Sequence, residues 1–273
     1  MTANAPLTSP NKLDNAPLVH TVAQVRFSPD LKISEAVPNI QGDLKGIGFP
    51  RFEKSEVSNI DLSSGVPKLD QLDRWDFLTR DKKTGVALTR DFVVLQTSAY
   101  DTFAIFGDLL RQVLEILAKY ARIDVVERLG IRYVDLVRRQ KDESFKDYLK
   151  PGLVGFPFDE VHGEEIIESF SAVQSVAKLA DSALTIRCLQ ANNGQFLPPD
   201  LAPTGLHYEV VLEKGELVAI IDSDHYAMVD MDFGPKAIIE RLDSLHQLAN
   251  KAFRSAVTSH ALKQWGAINV QSV

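Results

Sequence analysis

Twice along this chain a strand-like run feeds straight into a long amphipathic helix, at residues 92–122 and again at 226–260. In the first, Phe103, Phe106, Leu110, Val113, Leu117 and Tyr120 recur three and four apart, and Asp101 or Thr102 can cap the opening turn. In the second, Gly234 and Pro235 introduce a stripe of Ile238, Leu242, Leu245, Ala249, Phe253 and Ala256. Each helix follows a hairpin-like pattern, and strand and helix do not alternate in the βαβ manner. That order predicts an α+β fold of two similar halves, each an antiparallel sheet packed against one long amphipathic helix. The halves share negligible letter identity, so the duplication rests on element order. The boundaries read as a flexible leader at 1–17, a first half at 18–140, a Gly/Pro-rich connector at 141–164 and a second half at 165–273.

With 273 residues and a formal charge of −7, the chain can bury a sizeable core and carries no basic block, so bulk nucleic-acid binding is not expected. Cys188 is the only cysteine, which leaves no intrachain disulfide and no cysteine-based zinc cluster, and reads as a small buried residue in a cytoplasmic protein. The first residues lack a cationic start before an apolar run, and no apolar stretch reaches membrane-spanning length, so neither a secretory signal nor a membrane span is expected.

The charged strand faces are where function is sought. In ERLGIRYVDLVRR, Arg128 and Arg132 stand four apart, so a strand points both to one side, with side-chain-free Gly130 between them. Leu129, Ile131, Tyr133 and Asp135 take the other side. In YAMVDMDF, Ala227, Val229, Met231 and Phe233 alternate with Asp230 and Asp232. Gln24 with Arg26, Gln96 with Ser98, and His207 with Glu209 repeat the pattern weakly, and Arg187 lies opposite Cys188. The hairpin HYEVVLEKGELVAII is expected to turn at Glu213 to Glu216, and DSDH is read as a turn held by Asp222 and Asp224.

Three roles compete for these charges. They can neutralise one another across the sheet. The forks of Arg128, Arg132 and Arg187 can grip a carboxylate or phosphate. Asp230 and Asp232 can share Mg²⁺ or Mn²⁺ above a phosphorylated substrate. Six scattered histidines offer no zinc spacing, and neither a glycine-rich nucleotide loop nor a nucleophile elbow occurs.

PLVHTVAQVRF, RWDF, LTRDFVVLQTSAYDTFAIF, RLGIRYVDLV, VDMDF and LDSLHQLANKAFRSAVT together resemble a sporadically distributed family of bacterial proteins of this length. RLGIRYVD is the most specific mark, although Asp135 stands where that family tends to show asparagine. The resemblance implies the element order and no particular activity. Its patchy distribution suggests, by analogy, a partner in a defence or mobile-element-linked system. The resulting expectation is a non-enzymatic interaction protein, without cofactor, whose polar groove between the halves accepts an acidic protein segment or anionic small molecule at Arg128, Arg132 and Arg187. The alternative is a divalent-metal enzyme acting on a phosphorylated substrate.

Overall fold

The computed structural model describes residues 13–61, 68–156, 158, 169–201 and 204–267. It contains one antiparallel sheet of nine strands: β1 (Leu18–Phe27), β2 (Arg51–Asp61), β3 (Lys68–Leu78), β4 (Thr84–Leu88), β5 (Phe92–Thr97), β6 (Val125–Val137), β7 (Phe170–Lys178), β8 (Ser182–Ala191) and β9 (Val218–Asp232). The spatial order is β2-β3-β4-β5-β1-β6-β9-β8-β7. The α+β content agrees with expectation, but the two separate halves do not exist. β6 pairs with β1 on one side and with β9 on the other, the latter from Val125 opposite Asp232 to Val137 opposite Ala219. The strands of both supposed halves thereby close into a continuous ladder. Joining them satisfies two rows of backbone N–H and C=O groups that separate sheets would leave as open edges.

Three helices lie on one face: α1 (Ile33–Gly46), α2 (Phe103–Tyr120) and α4 (Pro235–Ala256). α1 exists despite Pro38 because Ile33, Val37, Ile40 and Leu44 form a buried stripe while Pro38 faces solvent. Thr102 caps α2 through a bond from the Ile105 amide (3.4 Å). Pro235 occupies the start of α4, where a missing N–H costs nothing. Their stripes meet Ala23, Val25 and Phe27 of β1 and Leu129 and Ile131 of β6 in the main core. Two short helices, α3 (Phe145–Tyr148) and α5 (Ser259–Gln264), pack with Trp265 over the end of the same face, where Cys188 is buried.

The opposite face is covered only in part. Residues 192–201 and 204–217 run across it, and Leu197, Phe196, Tyr208 and Leu212 rest on Val134, Leu136, Leu189, Val218 and Ile220. The hairpin expected at 207–221 is therefore absent. Residues 207–213 form no strand and β9 begins only at Val218. The DSDH turn is corrected as well, because β9 passes through it without interruption. Asp222 and Asp224 face one side and Ser223 and His225 the other, the alternation of a strand. Of the expected leader, residues 1–12 lie outside the described residues; from Leu13 onward the chain is held against the body, with the Asn15 amide bonded to the Trp265 carbonyl (3.1 Å). The connector at 141–164 likewise falls outside them at 157 and 159–164.

Candidate functional site

From Arg128 to Leu136 of β6 and from Val218 to Met228 of β9, the even-numbered side chains share the face away from the long helices. Arg132 sits opposite Asp224, Val134 opposite Asp222, and Arg187 of β8 opposite Asp222. The Arg132 fork is fully engaged. Nε and Nη2 donate to the two Asp222 oxygens at 2.7 and 2.8 Å, while Nη1 and Nη2 donate to the two Asp200 oxygens at 2.7 and 3.0 Å. Asp200 arrives on a single 3₁₀ turn, Pro199–Leu201, in the Pro-rich part of the covering loop. Arg187 Nε lies 2.8 Å from Asp222 Oδ2, an ion pair without an aligned hydrogen bond.

Burial works against the Arg132 charge, but the hydrogen bonds and charges of Asp200 and Asp222 outweigh it and hold the guanidinium's proton more tightly than usual. Asp200 is held below the ordinary carboxylate range by its bond from Arg132. Burial raises Asp224 against the pull of the neighbouring arginines. Two guanidiniums and two carboxylates thus form a neutral set around an Asp222 side chain with 0% exposure. An incoming anion would have to displace a carboxylate already bound bidentately.

Arg128 stands apart from this set. It lies across the backbone of Gly130, where an added Cβ would come within 3.2 Å of its Nη1. Its guanidinium carbon is 4.5 Å from the Tyr226 ring centroid, and Gln24 Oε1 accepts from Nη1 at 2.5 Å. The space beside Gly130 is therefore filled by Arg128 itself. Arg26, its neighbour across β1, pairs with Asp91 at 3.0 Å.

Asp230 and Asp232 occupy the exposed last residues of β9. Among the described residues, no group of three or more His, Cys, Asp or Glu is arranged to hold a metal ion.

A second polar cluster lies on the helix side of the same two strands. A cleft of about 460 Å³ is floored by Tyr133, Asp135 and Ser223 and walled by Phe103, His246 and Phe253. Asp135 reaches it because β6 keeps its alternation: Ile131, Tyr133, Asp135 and Val137 all turn toward the helix layer. The Asp135 side chain is buried, and no hydrogen bond contributes to its acidity. Burial, and secondarily the Asp222 charge through the sheet, push its carboxyl up to about 8.

Beside it the Tyr133 hydroxyl and His246 Nδ1 are 2.7 Å apart, and the His246 ring stacks on Phe103 with centroids 4.6 Å apart and planes 6° apart. Burial keeps His246 below its ordinary value, opposed by Asp243, and raises the Tyr133 hydroxyl. Tyr100 and Ser223 also line the cleft; the Tyr100 hydroxyl interacts with that of Tyr133, and among the described residues the buried Ser223 hydroxyl has no hydrogen-bond partner. Burial raises Tyr100 to about 12.

Sequence reasoning did not select this cluster. The signal was present all the same, since Asp135 follows Leu129, Ile131 and Tyr133 on the apolar side of its strand. The contact between His246 and Tyr133 joins positions 113 apart in the chain, so no local spacing points to it.

Comparison with protein-family models and with curated proteins finds no match. Among the described residues, no helix is long and apolar enough to cross a membrane.

Proposed function

We propose that the protein is a non-enzymatic receptor for a small molecule that seats in the cleft between the sheet, the start of α2 and the C-terminal half of α4. One observation carries this reading: the roughly 460 Å³ cleft reaches a buried carboxyl to which no described residue gives a hydrogen bond. Buried polar groups are ordinarily paired, and an unpaired one at the base of a concave, largely aromatic site fits a partner supplied by a ligand. The volume is within the range of small-molecule pockets.

The test is a thermal-shift panel of small metabolites on the wild type and on Ala249→Leu, which narrows the cleft from α4. A ligand at a hundred times its Kd stabilises by about 2.7 kcal/mol. The reading requires at least one compound to raise the wild-type Tm by several degrees and to lose that effect in the folded variant. A panel in which every shift survives Ala249→Leu counts against it.

A second reading keeps the partner-binding expectation at the opposite face. Of the three arginines singled out by the sequence, Arg128 is the one whose direct contacts are an amide and an aromatic ring in place of a carboxylate. An acidic segment laid along β1 would meet it beside Arg26. Arg128→Gln should then abolish capture of a polyglutamate peptide while leaving the metabolite shifts intact.

A further inference from the structure

The chemistry around the cleft narrows its ligand further, on the premise that the cleft is a binding site. We propose that it receives a small organic cation, an alkyl or arylalkyl ammonium whose nitrogen seats against Asp135.

The first argument is the balance of charge from the described elements that border the site. Asp14 of the segment before β1 and Asp101 before α2 stand exposed at the mouth, and Asp135 of β6 lies on the floor. From α4, Asp243 acts on His246, Tyr133 and Tyr100. Asp222 of β9 acts on Asp135 through the sheet. Against these stands Arg254 of α4, whose Nε is engaged by Asn250 Oδ1 at 3.2 Å. His246, lowered by burial, is neutral near pH 7. Among the described residues, and leaving aside Asp135 while it keeps its proton, the carboxylates of Asp14, Asp101 and Asp243 outnumber Arg254, so an anion placed at Asp135 would meet net repulsion.

The second argument is what Asp135 lacks. Asp222, its diagonal neighbour across the β6–β9 ladder, is just as deeply buried but has two guanidiniums. Among the described residues, Asp135 has neither a cation nor a hydrogen-bond donor. An ammonium group supplies the charge and three donors at once. The Ser223 hydroxyl, unbonded among the described residues, can accept a donor that Asp135 does not use.

The third argument is the wall. Tyr100, Phe103, Tyr133 and Phe253 surround the space, and aromatic faces attract organic cations through their ring quadrupoles.

Binding then has a proton balance. In the free protein Asp135 holds its proton up to about pH 8. An adjacent ammonium favours the carboxylate, so each cation bound below that pH releases one proton to the buffer. Affinity should rise about tenfold per pH unit where Asp135 alone titrates.

Isothermal titration of the full chain with phenethylamine and butylamine, their alcohols, and phenylacetate tests this in two buffers of different ionisation enthalpy. We expect an amine to bind more tightly than its alcohol and than phenylacetate. We also expect proton release near one per amine, tightening of about tenfold between pH 6 and 7, and at least tenfold loss in Asp135→Asn. If phenethyl alcohol or phenylacetate binds as well as the amine and is blocked by Ala249→Leu, the cleft is a site and the cation assignment is wrong. If neither amine binds at millimolar concentration, the cation assignment falls and the metabolite panel alone judges the cleft. Should Asp135→Asn fail to fold, proton release and pH dependence in the wild type decide.

Discussion

Asp222 and Asp135 are diagonal neighbours with similar burial and opposite circumstances. The difference is counter-charge. Asp222 is gripped by Arg132 and Arg187, so its removal or theirs should be costly in proportion to how well each contact is made. Arg132→Met breaks a bidentate pair at a fully buried carboxylate and should destabilise by about 3–5 kcal/mol in urea denaturation. Arg187, less buried and without an aligned bond, should cost about 1 kcal/mol on the same measurement. Equal losses would show that the network is not centred on Arg132.

Asp135 makes a different prediction. Its folded value of about 8 lies above an unfolded value of roughly 4, so the folded chain keeps a proton that the unfolded chain has released. Stability therefore falls with rising pH through that window, by about 1.4 kcal/mol per unit. His20 slopes the other way. Burial, aided by Arg132, lowers it from 6.5 to about 4, so stability rises with pH between those values. The two partly cancel in the wild type, and only a difference measurement isolates Asp135. Asp135→Asn should gain on the wild type steadily from pH 5 to 8 in urea titrations; a pH-independent difference would mean that Asp135 is ionised in the fold.

At the scale of elements, β6 and β9 form the spine, flanked on both sides by further strands. β7 is an edge strand, exposed along nearly its whole length. Hydrogen exchange should be slowest in β6 and β9 and fastest, among the strands, in β7; protection of β7 equal to that of β9 would show its outer edge to be covered.

The same contrast explains what the sequence made legible. The amphipathic stripes of α1, α2 and α4 and the alternation of β1 and β6 are set by burial on one side, so residue order reveals them. β7 was passed over because FSAVQSVAK buries no face and so carries no burial signal. β4 and β5 are separated by a turn in which the Thr89 hydroxyl donates to Asp91 (2.8 Å), a break that the apolar residues on either side conceal. DSDH was misread because Asp and Ser favour turns locally, whereas here Asp222 is held in the ladder by guanidiniums from β6 and β8. Asp200, which completes that network, was invisible in a Pro-rich loop because nothing local ties it to Arg132, 68 residues away.

For the molecule as a whole, the repeated strand-then-helix order suggested two bodies, and pairing overruled it. Element order is a local property, while which strand edges meet is settled by the burial of long-range partners. Because β6 contributes to a core shared with α4 and β9, residues 18–140 and 165–273 expressed separately should each fail to give a cooperative unfolding transition. Two independently folding fragments would restore the two-body description.

The helix side of this single sheet also brings together Asp135, Tyr133, Ser223 and His246 from three elements, and the functional account stands on that meeting. The most direct measurement is a crystal structure of the full chain grown with phenethylamine. The account predicts the ammonium nitrogen within hydrogen-bond distance of the Asp135 carboxylate, with the ring among Phe103, Tyr133 and Phe253. A cleft filled by the protein's own side chains, or an amine bound elsewhere with Asp135 untouched, would contradict it.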